Sequence, residues 1–359
     1  NTRYISDFDS PTSSGYLAWD TKEVTNMTSM FQDANVFDGD ISNWNVSLVT
    51  DTSKMFLGAL QFNKDLNTKN VVFEGIDEYI AWDTKEVTNM TSMFQDAKDF
   101  NGDISNWNVS LVTDMSKMFL GALQFNKDLN TKNVVFEGID EYIAWDTKEV
   151  TNMTSMFQDA KDFNGDISNW NVSLVTDMSN MFIGALQFNK DLNTKNVVLE
   201  GIDEYLAWDT KKVTNMAFMF QDAKVFNGDI SNWNVTLVTD MSNMFYHAHE
   251  FNSNIETRYV NSFIDNEDET QDNGYSGYIA WNVSNVTNMQ GLFANAYMFN
   301  GNIHNWNTSN VTNMSYMFYQ AYNFNSNLNT KDITELSFNV TPDVEIEVET
   351  ETAIEMNYT

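Results

Sequence analysis

The chain has no cysteine, two prolines, three histidines and only two arginines, Arg3 and Arg258, in 359 residues. The missing cysteine excludes disulfides, thiol catalysis and cysteine-type zinc sites together. Positive charge is scarce as well: 19 Lys and Arg stand against 51 Asp and Glu, a formal net charge of −32. Such a surface repels a phosphate backbone and anionic headgroups, which argues against nucleic acid and lipid surfaces as partners. No apolar run approaches the roughly 20 residues that a membrane helix needs, so no membrane insertion is expected. No signal peptide is recognised and the first residue is Asn1, not Met, which predicts a processed or partial product. What the chain does contain is apolar enough to pack: 42% hydrophobic, with 10 Trp, 20 Met and 26 Phe.

Those three residue types mark a repeat. Tryptophan stands at 19, 44, 82, 107, 145, 170, 208, 233, 281 and 306, so that steps of 25 alternate with steps of 38, and once 48. Two 25-residue units plus a 13-residue insert make a 63-residue super-repeat. Residues 82–144 and 145–207 differ at only four positions, so the array is one template copied. Counting from each Trp, Met lies eight residues on (except Thr52) and eleven on (except Leu292), and Phe at twelve and eighteen. Ala is always at fifteen, and Ile or Leu at twenty-two.

The spacing predicts an α/β repeat solenoid, with one short parallel strand and one short helix per 25-residue unit. Val24, Met27, Phe31 and Ala34 step by three and four, as one stripe of a helix does, with Thr25 or Asn26 as its N-cap. Ile41-x-x-Trp44-x-Val46 reads as a strand in the leucine-rich-repeat pattern. The insert, where Leu66-x-x-Lys69-x-Val71 replays that pattern, reads as an extra short coil, with a protruding hairpin as the alternative. Three strands per super-repeat would advance it by roughly 14 Å. Asn63 and its equivalents predict a buried asparagine column that satisfies successive backbone turns. A single unit cannot bury enough apolar surface to stand alone, so stacking is required.

The predicted organisation is a partial insert coil over 1–15, a ten-unit array over 16–330 and a β-rich cap or further domain over 331–359. Asn1-Thr2-Arg3-Tyr4-Ile5 matches the insert, which predicts more repeats, or another chain, upstream. Val344 to Glu349 alternates like a half-buried strand. Uncapped strand stacks at either end would invite head-to-tail pairing.

Trp281-Asn-Val-Ser-Asn-Val-Thr-Asn-Met289, with Phe299-Asn-Gly-Asn-Ile-His-Asn-Trp306, resembles the BspA-like surface-protein repeat. That family of roughly 26-residue leucine-rich-type repeats also includes mycoplasma and Listeria surface lipoproteins. The resemblance covers about residues 16–330. It implies a cell-surface or secreted protein used in adhesion or display, without catalysis. The chain departs from the family in its regular insert and near-identical copies, and it carries neither a lipobox cysteine nor a cell-wall sorting motif.

Candidate sites are few. His247-x-His249-Glu250 has metal-like spacing but is not repeated, and reads as a surface helix end. Asp40, Asp103, Asp166 and Asp229 alternate with Asp65, Asp128 and Asp191 in equivalent turns. Stacked, they would repel, leaving Lys64, Lys127 and Lys190 or a cation to relieve them. The acidic loop Asp265, Glu267, Asp268, Glu269 and Asp272 is the calcium candidate, although it lacks EF-hand spacing. Otherwise no cofactor is required. Asn45, Asn108, Asn171, Asn234 and Asn307 each open a sequon directly after Trp, a regular row of glycosylation candidates if the source glycosylates. No Ser/His/Asp set, phosphate loop or paired carboxylate pocket stands out, so an enzyme is not expected. Two readings follow. One is an extracellular stalk, fibre or surface layer that associates with itself; the other is an adhesin binding a host protein or glycan along one repeated face.

Overall fold

A computed structural model describes residues 3–5, 16–72, 77–135, 140–261 and 277–328. The chain divides into two compact units, Asn1–Asn329 and Thr330–Thr359, and the ten repeats lie in the first. The predicted strand at Val344 to Glu349 falls outside the described residues.

Each repeat is a coil of linked turns, and among the described residues there is no α-helix. The helical expectation fails for a reason visible in the unit that starts at Trp82. Its amides alternate in destination: those of Met93, Gln95 and Ala97 close three-residue turns onto the carbonyls of Met90, Ser92 and Phe94. Those of Met90, Ser92, Phe94 and Asp96 cross to Asp114, Ser116, Met118 and Leu120 in the next coil, at 2.7–3.1 Å. The Thr91 amide donates to the Asn89 side chain at 3.0 Å. Every amide from 90 to 97 is therefore paired, yet none of these bonds reaches four residues back as a helix requires. Two left-handed residues, Ser92 (φ 56°) and Asp96 (φ 55°), make this possible. They occupy the third position of the turns they close, as a type II turn demands. The pattern recurs ten and fourteen residues after every Trp, with glycine at Gly58, Gly121, Gly184 and Gly291.

The predicted strand at Ile41–Val46 is likewise absent: the Trp44 amide closes a turn onto the Ile41 carbonyl at 3.1 Å. Among the described residues parallel pairing survives only as single bridges seven residues after each Trp, running Asn26, Asp51, Asn89, Asp114, Asn152 and onward to Asn313. Asp51 bridges Asn89 directly across the insert, so the insert adds no rung. Two rungs at about 4.8 Å advance a super-repeat by about 10 Å, where three were expected.

The insert is instead a hairpin, the alternative weighed above. Among the described residues five two-stranded antiparallel sheets occur: β1 (Arg3–Ile5) with β2 (Tyr16–Ala18), β3 (Lys69–Val71) with β4 (Tyr79–Ala81), β5 (Lys132–Val134) with β6 (Tyr142–Ala144), β7 (Lys195–Val197) with β8 (Tyr205–Ala207), and β9 (Arg258–Val260) with β10 (Tyr278–Ala280). The Trp that follows each hairpin has a positive φ, 50–55°. That is costly for a bulky side chain. At Trp82 it is held by two bonds, from its amide to Trp44 O and from its indole Nε1 to Ile41 O, both 3.0 Å.

The core is the set of template positions itself. Met90, Met93, Phe94, Ala97, Phe100, Ile104 and Trp107 are fully buried, and their copies stack in columns. Phe94 lies 3.9 Å from Phe100 within its unit and 5.7 Å from Phe119 in the next, with rings nearly parallel. Indole donors tie the coils together, as Trp107 Nε1 does to Leu66 O at 2.7 Å and Trp170 Nε1 to Leu129 O at 2.7 Å. The asparagine column also forms. Asn63 Oδ1 accepts the Asn101 amide at 2.9 Å, Asn101 accepts Asn126 at 3.0 Å, and the chain of bonds continues to Asn325. Contrary to expectation it is not buried: Asn63, Asn126 and Asn189 are exposed.

Candidate functional site

The features that leave the smooth stack are the hairpins, and the grooves lie beside them. Each hairpin is fastened by its second strand. Tyr79 and Tyr142 donate their phenols to the carbonyls of Asn43 and Asn106, both at 2.6 Å, and Tyr205 donates to Asn169 at 2.5 Å. Just before the first strand, Thr68, Thr131 and Thr194 donate to the carbonyls of Trp82, Trp145 and Trp208 at 2.8–2.9 Å. The first-strand cation reaches a neighbouring serine, as Lys69 does to Ser42 at 3.1 Å and Arg258 to Ser231 at 3.0 Å.

Burial pushes the phenols of Tyr142, Tyr205 and Tyr278 up to about 12. An unfolded phenol ionises near 10. The folded hairpins therefore favour the neutral form, and their stabilising contribution is complete below about pH 10 and is lost as pH rises towards 12. Unfolding free energies measured from pH 9 to 12, alongside phenolate absorbance, should fall through that window. Replacing all three tyrosines with phenylalanine should flatten the fall.

Between the hairpins β5–β6 and β7–β8 lie two open, continuous grooves. One, about 590 Å³, is lined by Asp146, Lys148, Asn171, Glu204 and Tyr205 among others. The other, about 270 Å³, shares Asp146 and Lys148 and adds Asn108, Glu141 and Tyr142. Asp146 is buried, and its carboxylate meets Lys148 Nζ at 3.0 Å. The same pair recurs as Asp83–Lys85 at 3.1 Å and Asp209–Lys211 at 2.9 Å. Such a floor offers one fixed charge pair per super-repeat beside an aromatic wall. It suits hydrogen bonding with a polar ligand.

The sequon asparagines are placed by the fold as turn formers. Asn45 Oδ1 accepts the Ser47 amide at 3.0 Å and its hydroxyl at 2.7 Å, and Asn108 and Asn171 repeat this with Ser110 and Ser173. Asn234 accepts the Thr236 amide at 3.2 Å and Asn307 that of Ser309 at 3.1 Å. Asn45, Asn108, Asn171 and Asn234 are half-buried, and Asn307 is exposed. Asn108 and Asn171 border the grooves.

The stacked carboxylates are relieved by amides. Asp65 Oδ1 accepts the Asp103 backbone amide at 2.8 Å, and Asp103 Oδ2 accepts Asn67 Nδ2 at 2.9 Å. Asp128–Asp166 and Asp191–Asp229 repeat the first bond. Lys64 turns instead to Asp38. His247 and His249 have different polar and aromatic partners, and sit in turns where a helix end was expected. His247 Nδ1 meets Asp222 Oδ1 at 2.9 Å, while His249 stacks on Tyr297 at 4.3 Å. Among the described residues no cluster of three or more His, Asp or Glu could hold a metal ion. Asp265, Glu267, Asp268, Glu269 and Asp272 lie outside the described residues.

One polar column escaped sequence reasoning. At the parallel bridges Asn and Asp alternate through Asp240, so that Asn152 Nδ2 donates to Asp114 Oδ2 at 3.2 Å and Asn215 to Asp177 at 3.3 Å. Each side chain also accepts the amide two residues on, as Asp114 does from Ser116 at 2.8 Å. The alternation separates like charges by two rungs. It was readable as a fixed Asn/Asp position one residue before the first Met of each unit.

Among the described residues no helix is long and apolar enough to cross a membrane. No curated protein and no solved structure is significantly similar to the chain. The family described as "Mycoplasma protein of unknown function, DUF285" matches five tandem segments, residues 8–74, 72–137, 135–204, 200–273 and 266–341. The first four matches each begin near one hairpin and end near the next, which is the super-repeat described above; the five together cover most of the chain, which therefore belongs to this mycoplasma repeat family.

Proposed function

We propose that the protein is a non-enzymatic structural repeat protein of the cell surface, a stalk, fibre or surface layer that associates with itself. The observation that supports this reading is uniformity: the Trp, Phe and Asn columns run through successive units with the same partners. Catalysis generally uses one asymmetric cluster, whereas the charge pairs and phenols here are copied with each hairpin. The BspA-like likeness of residues 281–306 adds the surface location. Brief protease treatment of intact source cells tests it. Loss of the protein from intact cells, with a cytoplasmic marker preserved, is expected; full protection overturns the surface reading.

The groove over Asp146 and Lys148 favours a second reading, an adhesin that takes a host glycan or protein along the hairpin side. The exposed Lys148, held by the buried Asp146 at the groove floor, is a polar surface of the kind that sugars use. A glycan array and a host-cell binding assay, with and without calcium, decide it. Binding should weaken roughly tenfold in Lys148→Ala, and no binding in either condition eliminates the adhesin.

A further inference from the structure

The asparagine column carries a chemical hazard at alternate coils. At Asn101, Asn164, Asn227 and Asn300 the next residue is glycine, whereas Asn63, Asn126 and Asn189 are followed by lysine. Asn-Gly is the step at which a peptide most readily cyclises, because glycine has no side chain to crowd the attacking nitrogen. Two separate contacts hold the two residues. Each asparagine Oδ1 accepts a backbone amide of the next coil: Asn101 from Asn126 and Asn164 from Asn189 at 3.0 Å, Asn227 from Asn252 and Asn300 from Asn325 at 2.8 Å. The glycine lies against the preceding coil. A Cβ on Gly102, Gly165 or Gly228 would stand 2.0–2.1 Å from the carbonyl oxygen of Lys64, Lys127 or Lys190. Stacking thus uses both halves of the reactive pair.

We infer that Asn101, Asn164, Asn227 and Asn300 are latent sites of succinimide formation, held inert by the stacked coil and released where coils part. In the reaction the Gly165 amide nitrogen gives up its proton and attacks Asn164 Cγ. The bond from Cγ to Nδ2 breaks, Nδ2 leaves as ammonia with that proton, and a five-membered imide remains. Water then opens the ring at either carbonyl, giving aspartate or isoaspartate. Ring closure needs the carboxamide turned back onto its own chain, whereas the bond to Asn189 holds it toward the next coil. Turning it would also leave the Asn189 amide without its acceptor. Solvent exposure alone does not release the reaction, because Asn227 and Asn300 are exposed and carry the same bond. The two products differ in consequence. The first coil shows that aspartate fits. Asp38 precedes Gly39, and its Oδ1 accepts the Asn63 amide at 3.0 Å while Lys64 pairs with the charge. Lys127 and Lys190 hold the same template position after Asn101 and Asn164. Isoaspartate instead inserts a methylene into the main chain, which moves the glycine out of register with the neighbouring carbonyl. A coil that opens and forms isoaspartate cannot close as before, so the column records each parting of the coils as a covalent change.

Peptide mapping of the 359-residue chain, incubated folded in buffer and unfolded in guanidinium chloride at the same mildly alkaline pH, tests the inference. An isoaspartate-specific methyltransferase with a labelled methyl donor counts that product. In the unfolded chain the four Asn-Gly steps should convert at least ~tenfold faster than Asn63, Asn126 and Asn189, where the lysine side chain crowds the attack. In the folded chain Asn101, Asn164 and Asn227 should convert ~100-fold more slowly than when unfolded, because a central coil opens rarely. Trp170 and Asn189 belong to the same coil, so Trp170→Ala should raise conversion at Asn164 at least ~tenfold and leave distant Asn300 unchanged. Trp170→Phe should give a smaller rise at the same place, and serves if the alanine variant does not fold. Three results would overturn the inference. They are equal rates in the folded and unfolded chains, faster conversion in the folded chain, or no rise at Asn164 in either variant. None of them bears on the surface location, which the protease experiment decides separately.

Discussion

Gly165→Ala is expected to destabilise the array by about 3 kcal/mol, near the upper end for overpacking. A Cβ on Gly165 would stand 2.0 Å from the Lys127 carbonyl oxygen and 3.0 Å from the Phe163 ring. The oxygen belongs to the neighbouring coil's backbone, so relief requires the coils to part locally. Gly301 occupies the same template position, yet its Cβ would meet only the Phe299 ring, at 2.8 Å. Gly301→Ala should therefore cost about 1 kcal/mol, and the difference between the two isolates the close backbone approach. Urea unfolding monitored by tryptophan fluorescence measures both. Equal effects would mean that the ring contact alone excludes a side chain there.

Trp170→Ala should cost 3–5 kcal/mol, the range for removing a large buried aromatic. Trp170 is fully buried, lies 5.9 Å from Trp145 and 6.1 Å from Phe157, and donates to Leu129 O at 2.7 Å. The substitution leaves both a cavity and an unpaired carbonyl between coils. Trp170→Phe keeps much of the volume and loses the bond, so about 1–2 kcal/mol is expected. Trp19→Ala, at the exposed end, should stay within about 0.5 kcal/mol. Because each coil touches only its neighbours, the central alanine variant should also broaden the unfolding transition as the two halves uncouple.

The sequence readings divide along a physical line. Residues 24, 27, 31 and 34 are an inward-facing set, and Met27 and its equivalents up to Met289 are buried as expected. Steps of three and four are equally the signature of a helix and of successive three-residue turns, so periodicity alone could not choose between them. The sign of φ at Ser92 and Asp96 chose, and it depends on amides finding carbonyls in the next coil. The Asn63 column was legible because one side chain serving one amide per coil is a local bond repeated. Its exposure was not, since that depends on which side of the coil the turns present. The sequons were legible as a row, while their use of Oδ1 to form turns at the groove edge emerged only from the backbone. The grooves were illegible because Glu204 of the β7–β8 hairpin and Lys148 of an earlier coil, far apart in sequence, line one groove.

By itself the sequence determined the unit, its ten copies, the identity of the core columns and the need for neighbours. Those follow from apolar residues at fixed spacing, which must be buried whatever the backbone does. Tertiary structure decided how the backbone bury them. Crossing amide bonds between coils compete with the four-residue bonds of a helix and win, because they satisfy each amide while closing the columns of Trp, Met and Phe. The same crossing bonds give the stack its direction. The amides of Met90, Ser92, Phe94 and Asp96 all donate to the following coil, a polarity that no count of cysteines, arginines or charges contains.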